Sequence, residues 1–346
     1  MNAAPGSTPT LLLVSPAFHG YHRSIAAAFE DLGYVVRTHC YDSYASWGEK
    51  VRNKVAHELP ARVGLSRWGV PDGAAARAWA SERTLRVLDE VRPDRVVVIK
   101  GDLLDDRVWE ALRGRGIPSI LWLYDDLSRQ PHSLDFLREV GPVLSYSADE
   151  TAMLAGHGVD AHFVPNGFDP RLARPCPARR PEVVFVGSWY PNRERLLLAV
   201  HRAGVPVRAW GRGWSHHPVD RLRTWRWARP DLPAERDVPL ADAYRIQAEG
   251  LLAVNAHGDQ AGLSMRTFEV PGMAGLQAVD REDVSRFYEV GTETLVYRTP
   301  EELAELAARA RRDTAWAEGI RERGRRRTLA EHTFAHRVAL VERCWS

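Results

Sequence analysis

The sequence predicts an α/β protein built from two doubly wound parallel sheets. Short aliphatic runs alternate with amphipathic helical segments along both halves, and the alternation halts once, near residue 166. The chain has 346 residues, more than one core usually accommodates. At ~100–200 residues per domain, two domains fit that length.

In the first half, LLLV at 11–14 ends in Ser15-Pro16 and leads into an amphipathic segment, Ser24 to Leu32, stopped by Gly33. Further strands are expected at 34–38, 96–99, 119–123, 143–146 and 161–164, with helices at about 74–90 and 104–113 and a short one after 123. Pro165-Asn166-Gly167-Phe168-Asp169-Pro170 and the stretch RLARPCPARRP then mark a boundary, giving domains 1–166 and 167–330. The second half repeats the theme, with strands at 183–186, 206–210, 251–255 and 294–297. Its helices are expected at 191–202, 239–248, 265–273, 301–318 and 332–343.

Composition narrows the function. With 45% apolar and 27% charged residues the chain is globular rather than disordered. A net charge of +2, from 47 basic and 45 acidic residues, is no large excess that would draw the chain to nucleic acid or an anionic membrane, so any basic patch must be local. No apolar run approaches the ~20 residues needed to cross a bilayer, so a cytoplasmic location is expected. Cys40, Cys176 and Cys344 form no ligand or disulfide pattern. The basic run Arg323 to Arg327 is expected between two helices, as solvated surface, with contact to a membrane or an acidic partner as the alternative.

Ligands of such sheets lie beyond the carboxyl ends of the strands, so the loops there carry the chemistry. In FVGSWYPNRERLL a strand ends in Gly187-Ser188 and a helix starts near Pro191. A glycine there lets a phosphate approach backbone N–H groups, and Arg193 adds charge; the plain alternative is a turn with a surface arginine. In HGDQAGLSMRTFEVPGMAG, Ser264 and the backbone of 263–267, with Met265 and Thr267, are placed to face anionic oxygens beside Arg266. Glu269 suits the two hydroxyls of a ribose, unless it is a surface partner of Arg266 at i, i+3. In AWGRGW, Trp210 and Gly211 could close over a nucleobase, or the tryptophans could be core. No GxGxxG occurs, which argues against a dehydrogenase.

In the first half, His19 and His22 follow the first strand, Lys100 and Asp102 the third, and Asp125, Asp126 and His132 the fourth. A histidine or desolvated aspartate among them can accept a proton near neutral pH. Asp125-Asp126 is not the spaced pair expected of a metal-bridged site, and no catalytic metal or other cofactor is expected.

The segments HFVPNGFDP, FVGSWYPNRERLL, GLSMRTFEVPGMAG, VYRTPEELAELA and RTLAEHTFAHR together resemble the CgeB-like glycosyltransferases, a branch of the GT-B enzymes, over most of the chain. The resemblance implies two facing Rossmann-like domains with a deep cleft between them and a last helix, about 331–346, crossing back onto the first domain. It implies that Gly187, Arg193, Arg266 and Glu269 bind the diphosphate and ribose of a nucleotide sugar. Better-known retaining relatives carry a second glutamate eight residues before the ribose-binding one, where this chain has Ala261.

The expected activity is metal-independent sugar transfer from a nucleotide diphosphate sugar to a hydroxyl of a small molecule or glycan, with retention favoured over inversion. Arg266 stabilises the leaving group, and His19, His22 or Asp125 is the base if the enzyme inverts. Two alternatives stand beside it: an epimerase or hydrolase of nucleotide sugars on the same fold, and a nucleotide-binding module without turnover. A weak homodimer is compatible with the sequence. Acceptor choice is expected in residues 41–75, with Trp47 and Trp68.

Overall fold

A computed structural model describes residues 8–43, 74–173 and 179–345. Trp47, Trp68, Cys176 and most of the 41–75 segment lie outside the described residues. The chain forms two compact units, residues 1–164 with 338–346, and residues 165–337.

The first unit holds six parallel strands: β1 (Thr10–Ser15), β2 (Val35–Cys40), β3 (Arg95–Ile99), β4 (Ser119–Trp122), β5 (Val143–Ser145) and β6 (Ala161–Phe163), in the order β2-β1-β3-β4-β5-β6. Between them run α1 (Tyr21–Asp31), α2 (Ala74–Val91), α3 (Asp106–Gly114), α4 (Leu134–Glu139) and α5 (Ala148–Gly156). Both faces of the central strands are buried. Leu12, Val14, Val96, Val98 and Leu121 pack with Leu88, Val108 and Leu137 of the helices, while the alternate residues Leu13, Val97 and Ile120 are equally inaccessible.

The second unit repeats the arrangement with β7 (Val183–Val186), β8 (Val207–Trp210), β9 (Ala234–Glu235), β10 (Leu252–Asn255), β11 (Gln277–Val279) and β12 (Leu295–Val296), ordered β12-β11-β10-β7-β8-β9. Its helices are α6 (Pro191–Arg202), α7 (Pro218–Thr224), α8 (Leu240–Glu249), α9 (Arg266–Gly272), α10 (Pro300–Arg312) and α11 (Thr314–Glu331). Val183 and Phe185 face Leu197 and Leu303 on one side of the sheet, and Val184 faces Ile246 and Val270 on the other. In both sheets the strand order reverses beside the first strand of the unit, the position at which ligands of such sheets bind.

Several elements differ from expectation. The helix expected over 301–318 breaks at Asp313, whose side chain instead caps α11 by accepting from the Trp316 N–H at 3.0 Å. Arg323 to Arg327 therefore lie inside α11 rather than between helices. α5, α7, β9 and β11 are additional to the expected set. A last helix, α12 (Phe334–Arg343), begins in the second unit, and residues from Val338 onward belong to the first. There Glu342 accepts from the Tyr34 hydroxyl at 2.7 and 2.9 Å and pairs with Arg95, whose guanidinium also covers the Trp345 ring at 4.8 Å.

Candidate functional site

At the carboxyl end of β7 the chain turns through Gly187, at φ 156°, with Trp210 O accepting from its N–H at 3.0 Å. Gly211, which follows β8 at φ 144°, lies against it: a Cβ there would stand 2.5 Å from the Gly187 carbonyl oxygen. That carbonyl also accepts from Trp214 Nε1 at 3.0 Å, and Trp214 is fully buried edge-on to Phe185. A Cβ on Gly213 would meet Trp189 at 2.4 Å. These glycines are required by close backbone approach, so the two loops form one packed turn.

Arg193, in the first turn of α6, points inward rather than to solvent and is 5% exposed. Its Nε donates to Ala256 O at 2.9 Å and one Nη to Ser188 O at 3.0 Å. Arg266, at the start of α9, donates to Val186 O at 3.0 Å and lies over the same Phe185 ring, 5.6 Å from its centroid against 5.5 Å for Arg193. Burial, reinforced by the neighbouring Arg266 charge, brings the Arg193 pKa down to about 10. Two guanidiniums thus converge beside Gly187 and Ser188, an arrangement that an anion would relieve.

Behind them runs a buried polar chain. Asp280, just past β11, accepts from His257 N at 2.8 Å and from His257 Nδ1 at 2.7 Å. Because Nδ1 carries the hydrogen, Nε2 accepts, and Thr267 Oγ1 is 3.4 Å from it. Thr267 in turn accepts from Asn255 Nδ2, and Asn255 Oδ1 accepts from Ser264 Oγ, both at 2.9 Å. Burial keeps His257 below the usual histidine range; it would raise Asp280, but the His257 hydrogen bond and charge hold Asp280 below the usual carboxylate range.

This chain changes how Ser264 can act. Its proton is committed to Asn255, so its free lone pairs can accept from a ligand hydroxyl or N–H, and anionic oxygens must find donors elsewhere. Thr267 and Trp210 are placed in the interior: Thr267 is fully buried, and Trp210 packs with Val184 and Ile246. Met265 is half-buried, and Glu269 is 3% exposed, so Glu269 is an interior rather than a surface carboxylate. Ala261 is exposed, and its carbonyl accepts from Arg281 at 3.2 Å.

Asn166, Asn255, His257 and Asp280 were not among the residues expected in the site. Asn166 Nδ2 donates to Leu263 O at 2.9 Å while its own carbonyl accepts from Arg337, so the PNGFDP segment fixes the loop that carries Ser264. His257 stands in a quoted motif, but Asp280 follows a strand the sequence pattern did not show.

In the first unit three residues that are not glycine take left-handed backbone at the ends of adjacent strands: His19 (φ 45°) past β1, Lys100 (φ 62°) past β3 and Tyr124 (φ 60°) past β4. Strain of this kind gathers where a loop is held for a purpose. Lys100 Nζ lies 3.4 Å from Asp125 and 3.9 Å from Asp102, and Lys100 O meets His132 Nε2 at 2.7 Å. Asp102 accepts from the Tyr41 hydroxyl at 2.8 Å, and Asp125 also meets Arg129 at 3.3 Å. The structure therefore gathers Lys100, Asp102, Asp125 and His132. Asp126 is buried against Tyr146 and Arg129, which gives it a structural place. His19 is exposed, whereas burial and Arg23 lower the pKa of His22.

Among the described residues no group of three or more His, Cys, Asp or Glu is arranged to hold a metal ion, and no helix is long and apolar enough to cross a membrane. Cys40 and Cys344 are free thiols, each raised by burial.

Residues 193–343 match the model of the family described as "Glycosyl transferase-like". The chain is 20% identical over 223 residues to the spore protein CgeB of Bacillus subtilis (strain 168), covering 57% of this chain and 67% of that protein. Among solved structures it is similar to sucrose-phosphate synthase from Thermosynechococcus elongatus, with a TM-score of 0.62 at 13% identity over 97% of this chain and 98% of the other. It is also similar to Anabaena HepE in complex with UDP and glucose, with a TM-score of 0.63 at 12% identity over 97% and 98% of the two chains. At such identities the structural likeness establishes the fold.

Proposed function

We propose that this chain, a CgeB-like glycosyltransferase with the GT-B fold, moves a sugar from a uridine diphosphate sugar to an acceptor hydroxyl without a metal ion. The observation that carries the reading is the convergence of Arg193 and Arg266 beside the glycine turn of β7, where burial, with repulsion from Arg266 added, lowers the Arg193 pKa. A diphosphate with about two negative charges offsets that repulsion more in the transition state, when the leaving oxygen gains charge, than in the bound donor. The guanidiniums then do what a divalent cation does in metal-dependent transferases. Uridine is chosen because HepE, similar in fold, binds UDP.

In this reading Gly187, Ser188 and Gly211 admit the diphosphate and base to the backbone, and Glu269 accepts from the ribose hydroxyls. Ser264, with its proton engaged, accepts from a donor hydroxyl. The acceptor oxygen forms the new bond at the anomeric carbon as the bond to the diphosphate breaks, and under retention the acceptor's proton passes to the departing phosphate oxygen. Retention follows from the family resemblance, with Ala261 in the place of a second glutamate. Under inversion His19 or Asp125 takes the acceptor proton.

A thermal-shift panel of UDP, GDP, TDP, ADP and CMP, each with magnesium or chelator, tests the donor site. UDP is expected to stabilise the protein equally in both conditions, and Arg266→Ala to abolish the shift. A response confined to another nucleotide, or one that needs magnesium, overturns the corresponding part. Proton NMR of the product's anomeric centre decides retention, and donor consumption without acceptor would favour an epimerase or hydrolase instead.

A further inference from the structure

Beyond β8 the second unit carries a surface that the donor site does not use. α7 presents Val219 and Leu222, three residues apart on one face, with exposures of 42% and 55%. The helix ends at Trp225 in left-handed conformation (φ 51°), and Trp225 and Trp227 are 72% and 61% exposed. Trp214, only eleven residues before Trp225, is completely buried, so nearby indoles were not simply short of core to fill. Residues 211–229 hold five arginines and two histidines. Arg212 pairs with Asp237 at 3.2 Å and Arg226 with Glu194 at 2.8 Å, and the buried Asp220 is held by Arg236 at 2.9 Å, so the positive charge beside the exposed apolar residues comes from Arg221 and Arg223.

We propose that this surface seats the second unit on a lipid bilayer bearing anionic headgroups. Indoles settle at the boundary between headgroups and acyl chains, aliphatic side chains beside them enter the apolar edge, and arginines meet the phosphates. Arg221 and Arg223, in the last turn of α7, stand in sequence between the exposed apolar residues and so bring both kinds of contact to one place. An acidic glycan would use the tryptophan faces and the arginines but would leave Val219 and Leu222 without a partner, which is why the bilayer is favoured. Attachment through exposed indoles and arginines is peripheral and reversible. The inference does not depend on the donor assignment.

The test is sedimentation of the full chain with vesicles of phosphatidylcholine alone and of phosphatidylcholine with about one third phosphatidylglycerol. Binding to the anionic vesicles only, reversed by salt and accompanied by a blue shift of tryptophan emission, is expected. Trp225→Ser/Trp227→Ser is expected to weaken partitioning about tenfold or more, and Arg221→Gln/Arg223→Gln to remove its salt dependence. Both pairs should melt like the parent protein, since the replaced side chains are exposed or half-exposed. Absence of binding, or binding unchanged in both pairs, overturns the proposal. So does retention on an immobilised acidic polysaccharide, or dimerisation that the tryptophan pair abolishes, without vesicle binding.

Discussion

Gly187 and Arg266 compete for the same small volume: a Cβ built on Gly187 falls 2.8 Å from the Arg266 Nη1 that donates to Val186 O. The guanidinium is the far end of a flexible side chain and can move, but a φ of 156° is a backbone that L side chains rarely adopt. Gly187→Ala is therefore expected to lower stability by about 1–3 kcal/mol while weakening UDP binding about tenfold or more. Calorimetric titration beside a thermal melt separates the two effects, and equal loss of both would show that the glycine serves the fold alone.

The pair His257 and Asp280 sets the direction of every hydrogen bond as far as Ser264. Asp280→Asn removes the charge that holds hydrogen on Nδ1 and is expected to cost about 1–3 kcal/mol in urea denaturation. Nucleotide affinity should fall as well, because the loop of Ser264 and Thr267 loses its anchor. A variant of normal affinity would show that the chain is structural only.

Acid should destabilise both units through buried histidines. His39 Nε2 meets Thr84 Oγ1 at 3.1 Å, and that hydroxyl donates to Ala80 O, so the ring is a neutral donor there. His332 Nε2 donates to Phe287 O at 3.1 Å and its Nδ1 accepts from Arg337, leaving no room for a second ring proton. Burial lowers both to about 4, with Arg83 and Arg337 adding to the effect. A histidine lowered on folding contributes fully above its unfolded value of 6.5, and the contribution is lost as pH falls from there to about 4. Each is worth at most about 3 kcal/mol. Urea midpoints measured from pH 7.5 to 4.5 should fall, with a shallower slope in His332→Gln.

Gly324 shows how the basic run participates in the fold. A Cβ there would lie 2.5 Å from the Glu293 carbonyl oxygen and 3.2 Å from Pro271, in the contact between α11 and α9. Alanine would gain about 1 kcal/mol of helix propensity but must push backbone aside, so Gly324→Ala is expected to destabilise by about 1–3 kcal/mol net. A raised melting temperature would refute the close packing.

Strands and helices whose own patterns are strong are legible in the sequence, such as Val96 to Ile99 and the helix beginning at Pro191. β9 and β11 are not, because they have two and three residues and owe their place to neighbouring strands. α5 does carry a local signal, since Ser147 accepts from Glu150 N in a Ser-x-x-Glu arrangement, but Glu150 itself turns inward to Ser145 and Leu127. Arg193 and Arg266 were visible as charges beside glycines, whereas their burial over one phenylalanine is a property of the packed sheet. Asp280 could not be paired with His257 because only the parallel register of β10 and β11 brings the two loops together.

Residues 338–345 supply Glu342 and Trp345 to the cluster of Tyr34 and Arg95, yet they follow the whole of the second unit in the chain. During synthesis the first unit must therefore wait, with that edge of its core uncovered, until residues 165–337 have emerged. The unit made first is the unit completed last, which makes the early part of the chain the part most in need of protection while it is being made.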